Sequence, residues 1–336
     1  MRLSIFGSSF DTTAGAIADF RVLEFLRPTR VARLLLLALL PFATLNTVAP
    51  AATFTVATYN VENYLDAPAG TRPVKSPEAR AKVRQVIRAL GADVIAFAEM
   101  GALSALQELR ASLKAEGLDY PHWEHVQGPD PDIHVALLSR FPIVARRPHT
   151  NESFLLNGRK FLVKRGFLDV DIAVTPQSQF TLLGAHLKSK RPVPEADEAE
   201  LREEEGKRLR EIIDQKLRAF PNLNLVVVGD FNDTRDSRAL KAVLGGRGKF
   251  SLFDTRPAER NGDSAFRPKV YYAPRNIAWT YFYGKEDTYS RIDFILLSHA
   301  MARGWKPDLT LIPAIPDWGI ASDHRPIIAG FEAVDR

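Results

Sequence analysis

The chain has 336 residues, 46% of them hydrophobic and 25% charged, a composition ordinary for a soluble globular protein. It contains no cysteine, which excludes disulfides and a thiol nucleophile, and a core of this size is stable without cross-links. The formal charge of +5 is a mild bias, compatible with a polyanionic substrate but too small to define one.

In chain order, the first signal is an apolar run at residues 31–45. It opens after Arg27 and Arg30 and leads into Val48-Ala-Pro-Ala-Ala52. A basic flank, a short apolar core and small residues beyond it predict a secretory signal peptide, and hence a secreted or periplasmic protein. The alternative is an uncleaved segment that tethers the chain to a membrane, although the run is short for a span of ~20 residues. The expected organisation is an N-terminal extension over residues 1–52 and one domain over residues 53–336.

Residues 54–58 read as a strand leading into Tyr59-Asn60-Val61-Glu62-Asn63. Ser76-Pro77-Glu78 then opens a helix with a cap, a proline at the first position and an acid in the first turn. Val83, Val86, Ile87 and Leu90 recur at helical spacing, and Gly91 closes it. A strand over residues 93–98 ends at Glu99, and Leu103, Leu106, Leu109 and Leu113 mark a second helix. Strands are expected at residues 135–138, 167–174 and 180–185, the last ending at His186. A run dense in Glu, Arg and Lys follows over residues 195–210 and reads as the solvated front of a third helix. Leu209, Ile212, Ile213 and Leu217 form its apolar stripe.

The most informative stretch comes next. A strand over residues 223–228 ends at Gly229 and delivers Asp230 and Asn232, two residues apart and so expected on one face. A carboxylate and an amide aimed together suit a phosphate and a divalent cation better than an apolar core. Residues 256–274 read as a long loop, and residues 277–282, 292–297 and 327–331 as strands. Asp293 sits inside an otherwise apolar run, and Ser322-Asp323-His324 precedes the last strand. A strand cap or a satisfied buried polar group explains any one of these residues, but not all of them.

The pieces TYNVEN at residues 58–63, Glu99, ALLSRFPI at 136–143, GAHLKSK at 184–190, GDFND at 229–233, RIDFILLS at 291–298 and SDHRPI at 322–327 resemble the endonuclease/exonuclease/phosphatase superfamily. That superfamily includes DNase I-like nucleases, AP endonucleases, neutral sphingomyelinases and inositol polyphosphate 5-phosphatases. The resemblance implies a DNase I-like α/β fold, a four-layered sandwich of two packed mixed β-sheets flanked by helices. It also implies Mg²⁺-dependent hydrolysis of phosphoric esters, with Mn²⁺ or Ca²⁺ as substitute ions. By the same resemblance Glu99 is the principal metal carboxylate, with Asp323 near the metal and Glu62 ligating directly or through water. Asn60 belongs to the same group, bonding phosphate or orienting Asp230. Asp230 orients or deprotonates the attacking water, and Asn232 holds the phosphate beside it. Asp293 fixes the tautomer of His324, leaving open whether that pair or Asp230 is the formal base.

His186 stands where related nucleases and sphingomyelinases use a histidine to contact phosphate or act as a general acid. Arg165 and Lys188 are candidate phosphate contacts. Trp279 and Tyr281 line the substrate groove or pack as ordinary strand aromatics. His134 is expected to be structural or at the pocket rim. The leading expectation is a monomeric nuclease acting on nucleic acid or another phosphodiester. One rival is a phosphatase or phospholipase C-type hydrolase of a lipid or sugar phosphate, and a second is an inactive relative serving as a binding module.

Overall fold

The computed structural model describes residues 52–260 and 277–333. The apolar run at 31–45 and most of the loop expected over 256–274 lie outside the described residues. Ala49–Arg336 form one compact unit.

Two six-stranded sheets make its interior. The first runs β15 (Trp305–Leu311), β16 (Ile327–Glu332), β1 (Thr53–Tyr64), β2 (Val94–Met100), β4 (His134–Ser139) and β3 (His122–Val126). The second runs β11 (Phe253–Asp254), β14 (Asp293–Leu297), β10 (Leu225–Asp230), β9 (Ser178–His186), β8 (Phe167–Thr175) and β5 (Ile143–Arg146). In each sheet the two middle strands are parallel, β1 beside β2 and β9 beside β10, and their neighbours are antiparallel.

Side-chain alternation decides what each face buries. In β10, Val226 and Val228 enter the core between the sheets, while Leu225 and Val227 face a helical layer. Val56 and Val94 of the first sheet join that central core with Leu182, Ile295 and Ile327. On the outer face of the first sheet, Tyr59, Ile95 and Phe97 pack against α1 (Pro77–Leu90) and α2 (Leu103–Ala115). Leu183, Val227 and Phe294 pack against α3 (Glu198–Ala219) and α4 (Arg238–Leu244). A short α5 (His299–Ala302) completes the helices among the described residues. Four layers result, as the sequence led us to expect. Burying each aliphatic side chain of α1, such as Val83 or Ile87, contributes about 1.5–3 kcal/mol.

The α1 signals act as read. Ser76 Oγ accepts from Ala79 N at 3.1 Å, Pro77 is the first helical residue, and Gly91 adopts φ +58°. Elsewhere the structure departs from expectation. The strand expected over residues 277–282 is only β12 (Tyr281–Tyr283), paired with β13 (Thr288–Ser290). A hairpin of β6 (Ser153–Leu156) and β7 (Arg159–Leu162) turns at Asn157-Gly158, both with positive φ. The charged front of α3 is not wholly solvated. Arg202 and Glu205 are buried there, the first bonded to Asp233 Oδ2 at 3.0 Å and the second accepting Lys188 N at 2.6 Å.

Candidate active site

The middle strands end at one mouth of the sandwich, and the core-facing phase of β1, β9 and β10 continues there into polar residues. Asn60 follows Val56 and Thr58, His186 follows Leu182 and Gly184, and Asp230 follows Val226 and Val228. On β14, Asp293 shares its face with Ile295 and Leu297. Register places Asp230 opposite both His186 and Asp293. Gly229 makes this pairing possible: with φ +138°, a Cβ there would lie 1.9 Å from the carbonyl oxygen of Ala185.

Glu99 reaches the same mouth by another route. Strict alternation would aim it with Ile95 and Phe97 into the helical layer. A register shift between Phe97 and Met100, together with φ +60° at Glu99, turns the side chain inward. Glu62 and Asn63 lie in a matching irregularity of β1, with φ +43° and +51°. Non-glycine residues in this region cost about 1–3 kcal/mol each, and such strain tends to gather where function needs it. Asn232, at φ +55°, lies past the end of the strand, so alternation does not set its direction. The strand ends at Asp230, and beyond it Asn232 donates its backbone N–H to Asp230 Oδ1 at 2.8 Å and its amide to Leu187 O at 2.9 Å.

One amide ties the two sheets together. Asn60 Nδ2 lies 2.9 Å from Asp230 Oδ2, 3.3 Å from Glu99 Oε1 and 3.4 Å from His324 Nε2. His324 Nδ1 is 2.8 Å from Asp293 Oδ2, and its Nε2 is 3.6 Å from Asp230 Oδ2. His186 Nε2 stands 3.7 Å from Asp230 Oδ2 and 4.0 Å from Glu99 Oε1. Asp323 donates its backbone N–H to Glu62 Oε2 at 3.2 Å, and its carboxylate is 4.0 Å from His324 Nε2. Asn60, Glu62, Glu99, His186, Asp230, Asp293, Asp323 and His324 therefore form one constellation.

Burial and charge give these groups different protonation. His324 is pushed up to about 10: burial opposes its charge, but the carboxylates of Asp293 and Asp230 outweigh it. Burial pushes Asp230 up to about 7, with the charge of Asp293 adding and that of His324 opposing. Asp323 is raised to about 6 by burial and by the negative Glu62 and Glu99. His186 moves well below its ordinary value through burial, reinforced by the positive Arg165, His324 and Arg72. At neutral pH, then, His324 is a cation and His186 a neutral imidazole.

Two sets of residues could hold a metal ion. Asp230, Asp293 and His324 place ligand atoms within 4.8 Å of one another. That trio is dry, however, and its imidazole is cationic and already bonded to Asp293, so it suits proton handling better than a hydrated cation. Glu99, Glu62 and Asp323 offer oxygen donors only, with side chains 20%, 43% and 40% exposed. Lys75 Nζ lies 4.0 Å from Glu62 Oε2, as far as His324 Nε2 lies from Asp323 Oδ1. Acids at a wet rim suit a hard divalent ion that keeps several waters between itself and the protein.

The other expected contacts fall outside this constellation, except Tyr281, whose ring centroid is 4.7 Å from that of His324. Trp279 instead packs on Tyr289 and Trp318, with the Arg325 guanidinium 4.2 Å above it. The Lys188 ammonium donates to the carbonyls of Ser189 and Arg191, at 2.8 and 2.5 Å. Together with Arg165 it lines a neighbouring cleft. His134 is buried and its ring is 4.8 Å from that of His125, a structural placement.

Positioning residues the sequence reading passed over include Ser322 and Thr280. Ser322 Oγ donates to Asn60 O at 2.8 Å and accepts His324 N at 3.0 Å. Thr280 Oγ1 accepts from the N–H groups of Ile292 and Asp293, at 3.1 and 3.2 Å. Ser322 stood next to Asp323-His324 as a signal; for Thr280 the sequence offers none.

The model of the Endonuclease/Exonuclease/phosphatase family matches residues 57–324, and the chain belongs to that family. Its members define the class: the protein is a hydrolase of phosphoric esters. A search of curated proteins finds no match. Among solved structures, the human Nocturnin catalytic domain with bound sulfate superposes with a TM-score of 0.59 at 16% identity, covering 84% of this chain and 95% of that one. Sphingomyelinase C from Streptomyces griseocarneus gives 0.57 at 18%, covering 84% and 100%. The 3′ phosphatase NExo from Neisseria, bound to a product DNA hairpin, gives 0.54 at 17%, covering 83% and 99%. These likenesses establish the shared two-sheet fold.

Proposed function

We propose that this protein is a Mg²⁺-dependent phosphodiesterase acting on nucleic acid, as a monomeric secreted or periplasmic nuclease. The observation that carries the chemistry is the convergence, at one mouth, of Asp230 with His186 at 3.7 Å and with His324 at 3.6 Å, the latter held by Asp293 at 2.8 Å. A site that must both take and give protons at neutral pH needs two groups with separated affinities. Asp230 is placed to accept the proton of an attacking water. His324, held by Asp293, binds the phosphoryl oxygens as a cation, and the neutral His186 offers a hydrogen bond on the opposite side. Glu99, with Glu62 and Asp323, would hold the ion, which when bound neutralises phosphoryl charge and helps the leaving oxygen. Mn²⁺ or Ca²⁺ would fit the same oxygen donors.

Export is supported by the basic-flanked apolar run at residues 31–45. A nucleic-acid substrate is supported by the positive net charge and by Tyr281 beside His324. A lipid phosphate is the second reading, favoured by Leu155, 71% exposed on the β6–β7 hairpin.

The test incubates the full chain with Mg²⁺ and plasmid DNA, RNA, bis-p-nitrophenyl phosphate or sphingomyelin. Cleavage of diesters, abolished by chelator and reduced by orders of magnitude in His324→Ala, is the expected result. Turnover of monoesters or lipid alone would transfer the assignment to the second reading.

A further inference from the structure

Beside the mouth lies a cleft of about 390 Å³, on the His186 side. Arg165 stands in its wall and is 7% exposed. Its Nε is sealed from solvent and makes no hydrogen bond, with Asp130 Oδ2 3.5 Å away. Asp130 is already engaged: its Oδ1 accepts the N–H groups of Asp132 and Ile133, at 3.0 and 3.2 Å. The Arg165–Asp130 ion pair occupies the Nε side, and the rest of the guanidinium lines the cleft, where an anion would complete it.

The wall holding Arg165 is closely packed. Asp130 N donates to Lys164 O at 2.7 Å, and a Cβ at Gly128 would meet the Arg165 carbonyl carbon at 2.5 Å, so the two loops are pressed together. Arg72 faces the same cleft, its NH1 3.4 Å from Asp132 Oδ2. Both arginines are near enough to His186 to depress its protonation. Glu205, the acid deepest in the wall, is taken up by the Lys188 N–H. Phe161 and Leu162 supply an apolar side.

We propose that this cleft is a second anion subsite: Arg165 and Arg72 hold a phosphate next along a nucleic-acid strand from the scissile one, with the adjoining base against Phe161 and Leu162. The proposal rests on the nuclease reading and adds that the enzyme selects polynucleotides over isolated diesters. A guanidinium can grip two phosphate oxygens at once, which an ammonium cannot.

The test compares dTpdT, with one phosphate, against dTpdTpdT, with two. Affinity is measured on the full chain carrying Asp230→Asn, in Mg²⁺ and without turnover. The trinucleotide is expected to bind about tenfold tighter, roughly the effect of one charge-assisted contact. Arg165→Gln added to that chain should erase the preference, and Arg165→Lys should restore only part of it. Arg72→Gln, at a half-exposed position, should weaken the preference a few-fold, and it guards against misfolding of the buried variant.

An equal affinity for both ligands, or a preference surviving both Arg165→Gln and Arg72→Gln, overturns the subsite. Arg165-dependent preference with no cleavage by the unsubstituted protein would leave the subsite standing and sink the nuclease reading. Binding of anionic vesicles through Arg165 without nucleotide discrimination would assign the cleft to a lipid headgroup and overturn the proposal.

Discussion

The two sheets contribute unlike halves to one site. The second sheet brings Asp230, Asp293 and His186 to a dry floor, each 1% exposed at the side chain, and His324 closes it at 5%. The first sheet, with the loop before β16, brings Glu99, Glu62 and Asp323 to an open rim. The dry half shifts proton affinities, because burial and close charges act there without solvent screening. In the open half water moderates repulsion among carboxylates, and room remains for a hydrated ion. A phosphoryl hydrolase needs both environments, and packing two sheets face to face places one at the edge of the other.

Substitutions can break this division. Asp230→Asn and His324→Ala remove proton handling from the dry half, and each should lower kcat by ~10²–10⁴-fold with little change in the metal concentration needed. Steady-state kinetics across a Mg²⁺ titration measures both quantities. Glu99→Gln should behave oppositely, raising the Mg²⁺ requirement by roughly 10–100-fold and recovering much activity at high Mg²⁺. A Glu99 variant rescued by no amount of metal would end the assignment of the rim to the ion.

A sharper comparison comes from pH. The carboxylate of Asp293 helps hold His324 protonated, so Asp293→Asn lowers the affinity of that imidazole for its proton. The alkaline limb of the rate profile should then move to lower pH, by about one unit for each 1.4 kcal/mol of interaction removed. An unmoved limb would mean that His324 is not the group titrating there. The smallest effect is expected at Glu62, whose side chain is 43% exposed: Glu62→Gln should change activity by less than about tenfold, chiefly through Mg²⁺ affinity.

Much of this site was legible in the chain. Alternation carries Val226 and Val228 directly to Asp230, and Leu182 to His186, so the polar ends of those strands announce themselves. The caps of α1, Ser76 and Gly91, are equally local. The same rule does not reach Asn232, because the strand stops at Asp230 and the backbone turns to positive φ. The β6–β7 hairpin had a signal in Asn157-Gly158 that the periodicity of its short strands does not reinforce. Arg202 and Glu205 had none, since a charge buried by a neighbouring loop looks in sequence like any other on a helix.

The sequence by itself determined which residue types stand at strand ends, and with them the family and its chemistry. That information is local, written in alternation and short motifs. Only the tertiary structure decided which of those residues meet. The bulge that turns Glu99 inward, the Asn60 amide bridging two sheets and the Arg165–Asp130 pair all depend on partners more than thirty residues away. Burial sets proton affinity and bonding there, and burial belongs to the packed layers, not to any one segment.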